Sequence, residues 1–263
     1  MIDKLVFLGS GSAFTMKNRQ SNVMLVDSDR KQTLLIDAGT DIRHSLFKVG
    51  YSYSDINAIY ISHAHADHAG GLEYLGFCTF FDPRCFPPKM FISGGLKSRL
   101  WNNTLSGGMQ SLQGDIAEMS TYFDITSVPK NGKFIWNETS FQLIQTVHIV
   151  NGFSFEHSYG LLFTINGITI FYTSDTQFAP NQLKDFYGLA DIIFHDCEIT
   201  PFKSGVHAHY EELLTLPEKT RNKMWLYHYG DNEKPDAKAA GFRGFVEMGQ
   251  YFDFNNIKSF EGE

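Results

Sequence analysis

Cysteine is scarce. The 263 residues hold three, Cys78, Cys85 and Cys197, with no C-x-x-C spacing among them. That excludes a disulfide framework, a zinc ribbon and a thioredoxin-type redox motif, and it suits a reducing compartment. Long apolar runs are missing too, none approaching the ~18 residues of a membrane span. The opening Met1-Ile-Asp-Lys-Leu-Val-Phe-Leu-Gly9 lacks the cationic start and small-residue cleavage site of a signal peptide. A soluble, cytoplasmic protein with no membrane partner is expected. Positive charge is short as well, 22 Lys and Arg against 29 Asp and Glu for a net charge of −7, the wrong balance for an extended nucleic-acid surface. With 8 Pro and no repeat, low-complexity tract or linker-like stretch, the chain reads as one domain over residues 1–263. What is abundant is aromatic surface: 24 Phe, 12 Tyr and 3 Trp exceed what a disordered chain carries and supply a substantial core.

Short apolar runs closed by turn residues predict strands over 4–8, 22–26, 33–36, 58–62 and 89–93. Helical spacing of Ile42, Leu46 and Val49 predicts a helix over 41–49. Residues 94–120 read as helix broken by loops at Gly107-Gly108 and Gly114. Strands follow over 122–127, 133–136, 141–147, 159–165 and 168–173, the last two joined by an Asn166-Gly167 turn. The final third alternates: strand 190–195, helix 209–215, strand 223–227, helix 236–248 and a short strand 256–260. Two groups of strands, each followed by helices, predict an α/β protein of four layers, an αββα sandwich.

The most informative stretch is His63-Ala-His65-Ala-Asp67-His68, directly after an apolar run. On an extended segment His63 and His65 share a face, and a turn into helix swings Asp67 and His68 toward a neighbouring point. Imidazole and carboxylate are the donors that suit zinc and similar divalent ions. The plain alternative is a solvated polar loop, but four such groups at this spacing are costly to bury without a cation. Further donors each sit just past a predicted strand: His148 after 141–147, Asp175 after 168–173 and His228 after 223–227. Singly each would be structural; their shared placement points to one site. A bridging Asp175 would supply the oxygens that hold two cations about 3.5–4 Å apart. Gly9-x-Gly11 lacks the third glycine and following helix of a dinucleotide fingerprint and reads as a tight turn.

This ligand order, His63-x-His65-x-Asp67-His68, His148, Asp175, His228, resembles the metallo-β-lactamase superfamily over essentially the whole chain. The opening Leu8-Gly-Ser-Gly-Ser-Ala13 with Arg19 and Ser21, and the segment Ala190-Asp-Ile-Ile-Phe-His195-Asp196, are similar to its ribonuclease Z-like branch. The resemblance implies one metal on His63, His65 and His148 and a second on Asp67, His68 and His228, with Asp175 bridging. Zinc is the default ion, with manganese or iron as alternatives. It further implies catalytic roles for Asp67, which ligates and orients the attacking hydroxide, and for His209, matched to the branch's phosphate-contacting histidine, with His207 as the competitor. His195 and Asp196 read as groups that orient ligands; His44 and His157 read as structural or surface residues.

Long-arm ribonuclease Z enzymes carry a tRNA-gripping arm between the third histidine and the bridging aspartate. Here those positions, 148 and 175, are 27 apart and filled by one hairpin, which points to a small substrate. The pattern resembles the anti-Pycsar proteins of phages and bacteria. It implies hydrolysis of 3′,5′-cyclic nucleotides (cyclic CMP and UMP, with cyclic AMP and GMP as further candidates) to nucleoside monophosphates, countering a cyclic-nucleotide antiphage signal. It also implies a homodimer. A tRNA 3′-processing endonuclease and a non-catalytic nucleotide binder are the alternatives. The aromatic abundance permits a base-stacking surface without marking which ring provides it.

Overall fold

A computed structural model describes residues 1–261; the last two residues of the 1–263 unit lie outside the described residues. The first half runs β1 (Lys4–Phe7), β2 (Val23–Asp27), β3 (Gln32–Ile36), α1 (Ile42–Lys48), β4 (Ala58–Ile61), α2 (Ala66–Ala69), α3 (Leu72–Phe81) and β5 (Lys89–Ser93). Next come α4 (Gly94–Leu100), a π-helical turn at Trp101–Leu105, α5 (Ser106–Met109), a small hairpin of β6 (Ser111–Leu112) and β7 (Asp115–Ile116), α6 (Met119–Tyr122) and β8 (Asp124–Val128). The second half runs β9 (Lys133–Trp136), β10 (Thr139–Val150), β11 (Phe155–Ile165), β12 (Ile168–Tyr172), α7 (Pro180–Leu189), β13 (Ile192–Asp196), α8 (Tyr210–Leu213) and α9 (Glu218–Arg221). It closes with β14 (Met224–Tyr227), β15 (Gly244–Phe245) and β16 (Tyr251–Asp253).

These strands make two seven-stranded sheets, ordered β16-β1-β2-β3-β4-β5-β8 and β15-β14-β13-β12-β11-β10-β9. Their inner faces share one core, in which Phe7, Leu34 and Tyr60 of the first sheet meet Phe141, Tyr172, Phe194 and Tyr227 of the second. The outer face of the first sheet buries Ile59 and Ile61 against Leu46, Leu72 and Leu75 of α1 and α3. The outer face of the second buries Ile193 and Leu226 against Leu183 of α7 and Leu213 of α8. Helix, sheet, sheet, helix are the four layers expected from the sequence.

Each sheet contains a parallel run, β3-β4-β5-β8 in one and β12-β13-β14-β15 in the other. Parallel strands joined by helical crossovers are covered on both faces, which is why β4 (AIYI) and β14 (MWLY) are apolar and buried throughout. Their C-terminal ends, with that of β10, lie along one edge. Among the described residues no helix is long and apolar enough to cross a membrane.

Two expected elements differ. Residues 236–248 form no helix: Gly241 and Gly244 adopt left-handed backbone (φ 84 and 141), and Gly244–Phe245 joins the second sheet as β15. Residues Ile257–Phe260 form a 3₁₀ turn, and the last strand lies earlier, at β16. The sequence reading also passed over α7, whose Pro180 fits the first helical turn.

Phe7 is fully buried and its ring contacts Phe194, Tyr227 and Phe252 at centroid distances of 5.1, 5.7 and 6.2 Å, joining the sheets. Phe7→Ala is expected to destabilise the protein by about 3–5 kcal/mol, read as a lowered midpoint in chemical denaturation.

Candidate metal centre

The edge where the strands end gathers the charged groups. After β4 the chain bends at Ala64 and turns into α2, with His65 at the helix N-cap. His63 and His65 therefore project from the turn, while Asp67 and His68 come from the first helical turn. His148 lies at an irregularity of the β10–β11 ladder, where the register shifts between Val147 and Ile149; such bulges re-aim a side chain. Asp175 follows β12 by way of Ser174 (φ 52), and His228 directly follows β14 at φ 67. Left-handed backbone at non-glycine residues costs about 1–3 kcal/mol and gathers at functional sites.

Three donor groups result, the ligand atoms of each lying within 4.8 Å of one another. The first is His63, His65, His148 and Asp175; the second is Asp67, His68, His228 and Asp175. In the first, Nδ1 of His65 stands 3.0 Å from His63 Nε2 and 3.1 Å from His148 Nε2, and Oδ2 of Asp175 lies 3.6 Å from Nε2 of His63 and of His148. In the second, Oδ2 of Asp67 is 3.2 Å from Nε2 of both His68 and His228, and Oδ1 of Asp175 is 3.2 Å from His68 Nε2. All seven sequence-predicted donors thus converge, and Asp175 is shared. The third group adds Asp196 and His207 to Asp175 and His228.

The outer hydrogen bonds fix what the inner nitrogens can do. Ser62 Oγ donates to Asp37 Oδ2 (2.7 Å) and so accepts from His63 Nδ1 (3.0 Å). His68 Nδ1 donates to Asp37 Oδ2 (2.8 Å), and His148 Nδ1 donates to the Val206 carbonyl (2.9 Å). With those Nδ1 protons turned outward, Nε2 is the atom each of the three rings turns to the cluster, the arrangement outer partners impose on metal-ligating histidines. His68 Nε2 and Asp175 Oδ1 are buried without a hydrogen-bond partner. Carboxylate oxygens and imidazole nitrogens converging at about 3 Å call for positive charge between them, a metal ion or, without one, a proton. Nitrogen and oxygen donors in tetrahedral-sized sets fit zinc or a similar divalent ion.

The electrostatics agree. Burial lowers the pKa of His63, His65 and His148, which keeps these rings neutral and able to ligate. Burial works the same way on His68 and His228, but the surrounding carboxylates, Asp175 foremost, outweigh it and raise both well above the ordinary value. For Asp67 and Asp175 burial pulls upward, and the neighbouring imidazoles overcome it to hold both carboxyls well below the usual range. The cluster demands positive charge.

The structure turns the ring of His209 away from the cluster. Its Nε2 donates to the Thr200 carbonyl (2.9 Å), and its Nδ1 accepts from the Glu211 amide (3.2 Å) as the N-cap of α8. Both ring nitrogens are engaged away from the cluster. His207 takes the place beside it, Nδ1 2.8 Å from Asp196 Oδ2 and 3.9 Å from Asp175 Oδ2. Asp196 also accepts from the Thr176 amide (2.9 Å), and its Oδ1 lies 3.4 Å from His228 Nδ1. His195, one residue earlier on β13, points to the opposite face and bonds the Tyr187 hydroxyl (2.8 Å). His44 is exposed and His157 half-buried, both outside the cluster. The sequence reading missed Asp37, which had passed for a turn residue. Its signal was the one that marks the other donors: a polar side chain immediately after an apolar run, here Leu34–Ile36.

The two-sheet architecture and this edge cluster define a metallo-β-lactamase-fold protein. The crystal structure of the metallo-β-lactamase fold protein YhfI from Bacillus subtilis superposes with a TM-score of 0.72 at 16% identity, covering 96% of this chain and all of that one. Within that fold, a family model described as Anti-Pycsar protein Apyc1 matches residues 3–252, and the chain belongs to this family. It is 36% identical over 242 residues to the Anti-Pycsar protein Apyc1 of Paenibacillus harenae, covering 91% of this chain and 95% of that protein. It is 33% identical over 257 residues to the one from Bacillus phage vB_BsuM-Goe3, covering 94% and 96%.

Asp37→Ala is expected to weaken divalent-metal affinity about 10–100-fold in competition titrations against a chelator. His209→Ala is expected to leave the metal content unchanged and to lower stability by about 0.5–2 kcal/mol through loss of the cap, which separates its role from that of His207.

Proposed function

We propose that the protein is a dinuclear-metal phosphodiesterase that hydrolyses 3′,5′-cyclic nucleotides to nucleoside monophosphates and so removes a cyclic-nucleotide antiphage signal. The observation that carries the reading is the pair of donor groups sharing one carboxylate, His63, His65, His148 and Asp175 beside Asp67, His68, His228 and Asp175. These residues would hold the two ions, which when bound supply Lewis acidity and a water acidic enough to ionise near neutral pH. Family membership supports the signal-removing role. The short interval between His148 and Asp175, spanned by the β11–β12 hairpin, and the acidic balance support a small substrate over tRNA.

The chain's own groups divide the remaining work. Asp67, held ionised by His68 and His228, accepts a hydrogen bond from the attacking water and orients it toward phosphorus. His207, paired with the buried Asp196 carboxylate, carries a proton at the cluster's rim and gives it to the leaving ribose oxygen as the P–O bond breaks. That role passes to His207 from His209. The protein is read as a cytoplasmic homodimer, for which a sedimentation mass of two chains is the expected outcome.

Purified protein is to be offered cyclic CMP, UMP, AMP and GMP beside a precursor tRNA, before and after chelation. The expected outcome is monophosphate from at least one cyclic nucleotide, lost on chelation, restored by zinc or manganese and abolished by His65→Ala. Cleavage of the tRNA alone would make the protein a processing endonuclease; tight nucleotide binding with no turnover of a fully loaded preparation would make it a binder.

A further inference from the structure

The loop between β1 and β2 is held in an unusual way. Asp231, three residues beyond His228, accepts four hydrogen bonds from it: Thr15 Oγ1 at 2.6 Å, the Met16 amide at 2.7 Å, Asn18 Nδ2 at 3.0 Å and the Lys17 amide at 3.3 Å. The Ser12 amide donates to the Tyr229 carbonyl (3.0 Å), and the His228 amide donates to the Ser10 carbonyl (2.7 Å). The other flank is tied as well. Gln20 Nε2 donates to the Ala13 carbonyl (3.4 Å), while Gln20 Oε1 accepts from Thr40 Oγ1 (2.9 Å). The Thr40 amide in turn bonds the carbonyl of Ala66, between His65 and Asp67. Residues 12–18 are thus strapped between the segment carrying His228 and the turn carrying His65 and Asp67.

A segment pinned this firmly would be expected to bury its apolar side chains or to have none. It does neither: Phe14 is 93% exposed and Met16 88% exposed. Exposed apolar residues are common singly; what sets Phe14 apart is that its loop is tied on both flanks to segments that carry the donors, so the ring is held in water beside them at no gain to the fold. Other aromatics are exposed too, Phe153 between β10 and β11 and Phe202 between β13 and α8, but the loop that carries Phe14 is the one strapped to both the His228 segment and the His65–Asp67 turn. We infer that Phe14 is the platform on which the base of the nucleotide stacks, and that Asp231 is the positioning residue that holds it there. The inference rests on the cyclic-nucleotide reading above and adds to it the contact for the base. An aromatic face accepts any base, so the platform contributes affinity without choosing among bases.

Because Phe14 is solvent-exposed, its replacement does not disturb the core, and Phe14→Ala should keep the wild-type melting temperature and metal content. Its KM for the preferred cyclic nucleotide should rise about 5- to 100-fold with a much smaller change in kcat. Its preference for that substrate over methyl p-nitrophenyl phosphate, a diester with no base, should fall by the same factor. Phe14→Trp should retain low KM and show tryptophan fluorescence quenched by the nucleotide beyond any quenching in wild type. Asp231→Ala should raise KM in the wild-type background yet add less than twofold to Phe14→Ala, since the two act through one loop. An unchanged KM in Phe14→Ala, with wild type active on the nucleotide, overturns the inference; absence of cyclic-nucleotide hydrolysis in wild type overturns the reading beneath it instead.

Discussion

The molecule is organised around buried negative charge. Asp37, Asp67, Asp175 and Asp196 are each at most 5% exposed, and among the described residues no lysine or arginine forms an ion pair with any of them. A carboxylate taken out of water without compensation costs several kcal/mol even after the surroundings relax. Among the described residues their only ionisable partners of positive sign are imidazoles, and three of those already turn their Nδ1 protons outward to Ser62, Asp37 and Val206. Divalent ions would resolve the imbalance, and their binding would then be part of the folded state's energetics as well as of its chemistry.

Convergence on this scale needs a scaffold that stops many strands at one place. Two sheets whose parallel runs end along a shared edge deliver donors from β4, β10, β12 and β14, separated in sequence by up to 165 positions between His63 and His228. Local backbone does the final aiming: the ladder irregularity at His148 and the left-handed residues Asp37, Ser174 and His228. The left-handed residues are tolerated because the strand ends they follow, Leu34–Ile36, Ile170–Tyr172 and Met224–Tyr227, are buried and hold them.

Much of this was legible before any coordinates. The 63–68 cluster declares itself through short-range spacing, and His148, Asp175 and His228 through a repeated context, a donor just after an apolar run. The layer order followed from two sets of strands with helices between. What escaped had physical reasons. Asp37 carries the same context but falls in Asp37-Ala38-Gly39, which turn chemistry alone accounts for. His207 and His209 are two residues apart, and the choice between them turns on which meets Asp196 across a loop, a tertiary fact. A helix over 236–248 satisfied the apolar spacing, yet Gly241 and Gly244 admit conformations that spacing cannot report.

The first sheet is closed by the last strand: β16 pairs antiparallel with β1, Lys4 beside Asp253 and Val6 beside Tyr251. A chain emerging from the ribosome therefore leaves one edge of β1 open until residue 251 is out, and the second donor group waits for residue 228. Until then the growing polypeptide exposes an apolar strand with one edge unpaired and an unfinished set of donors.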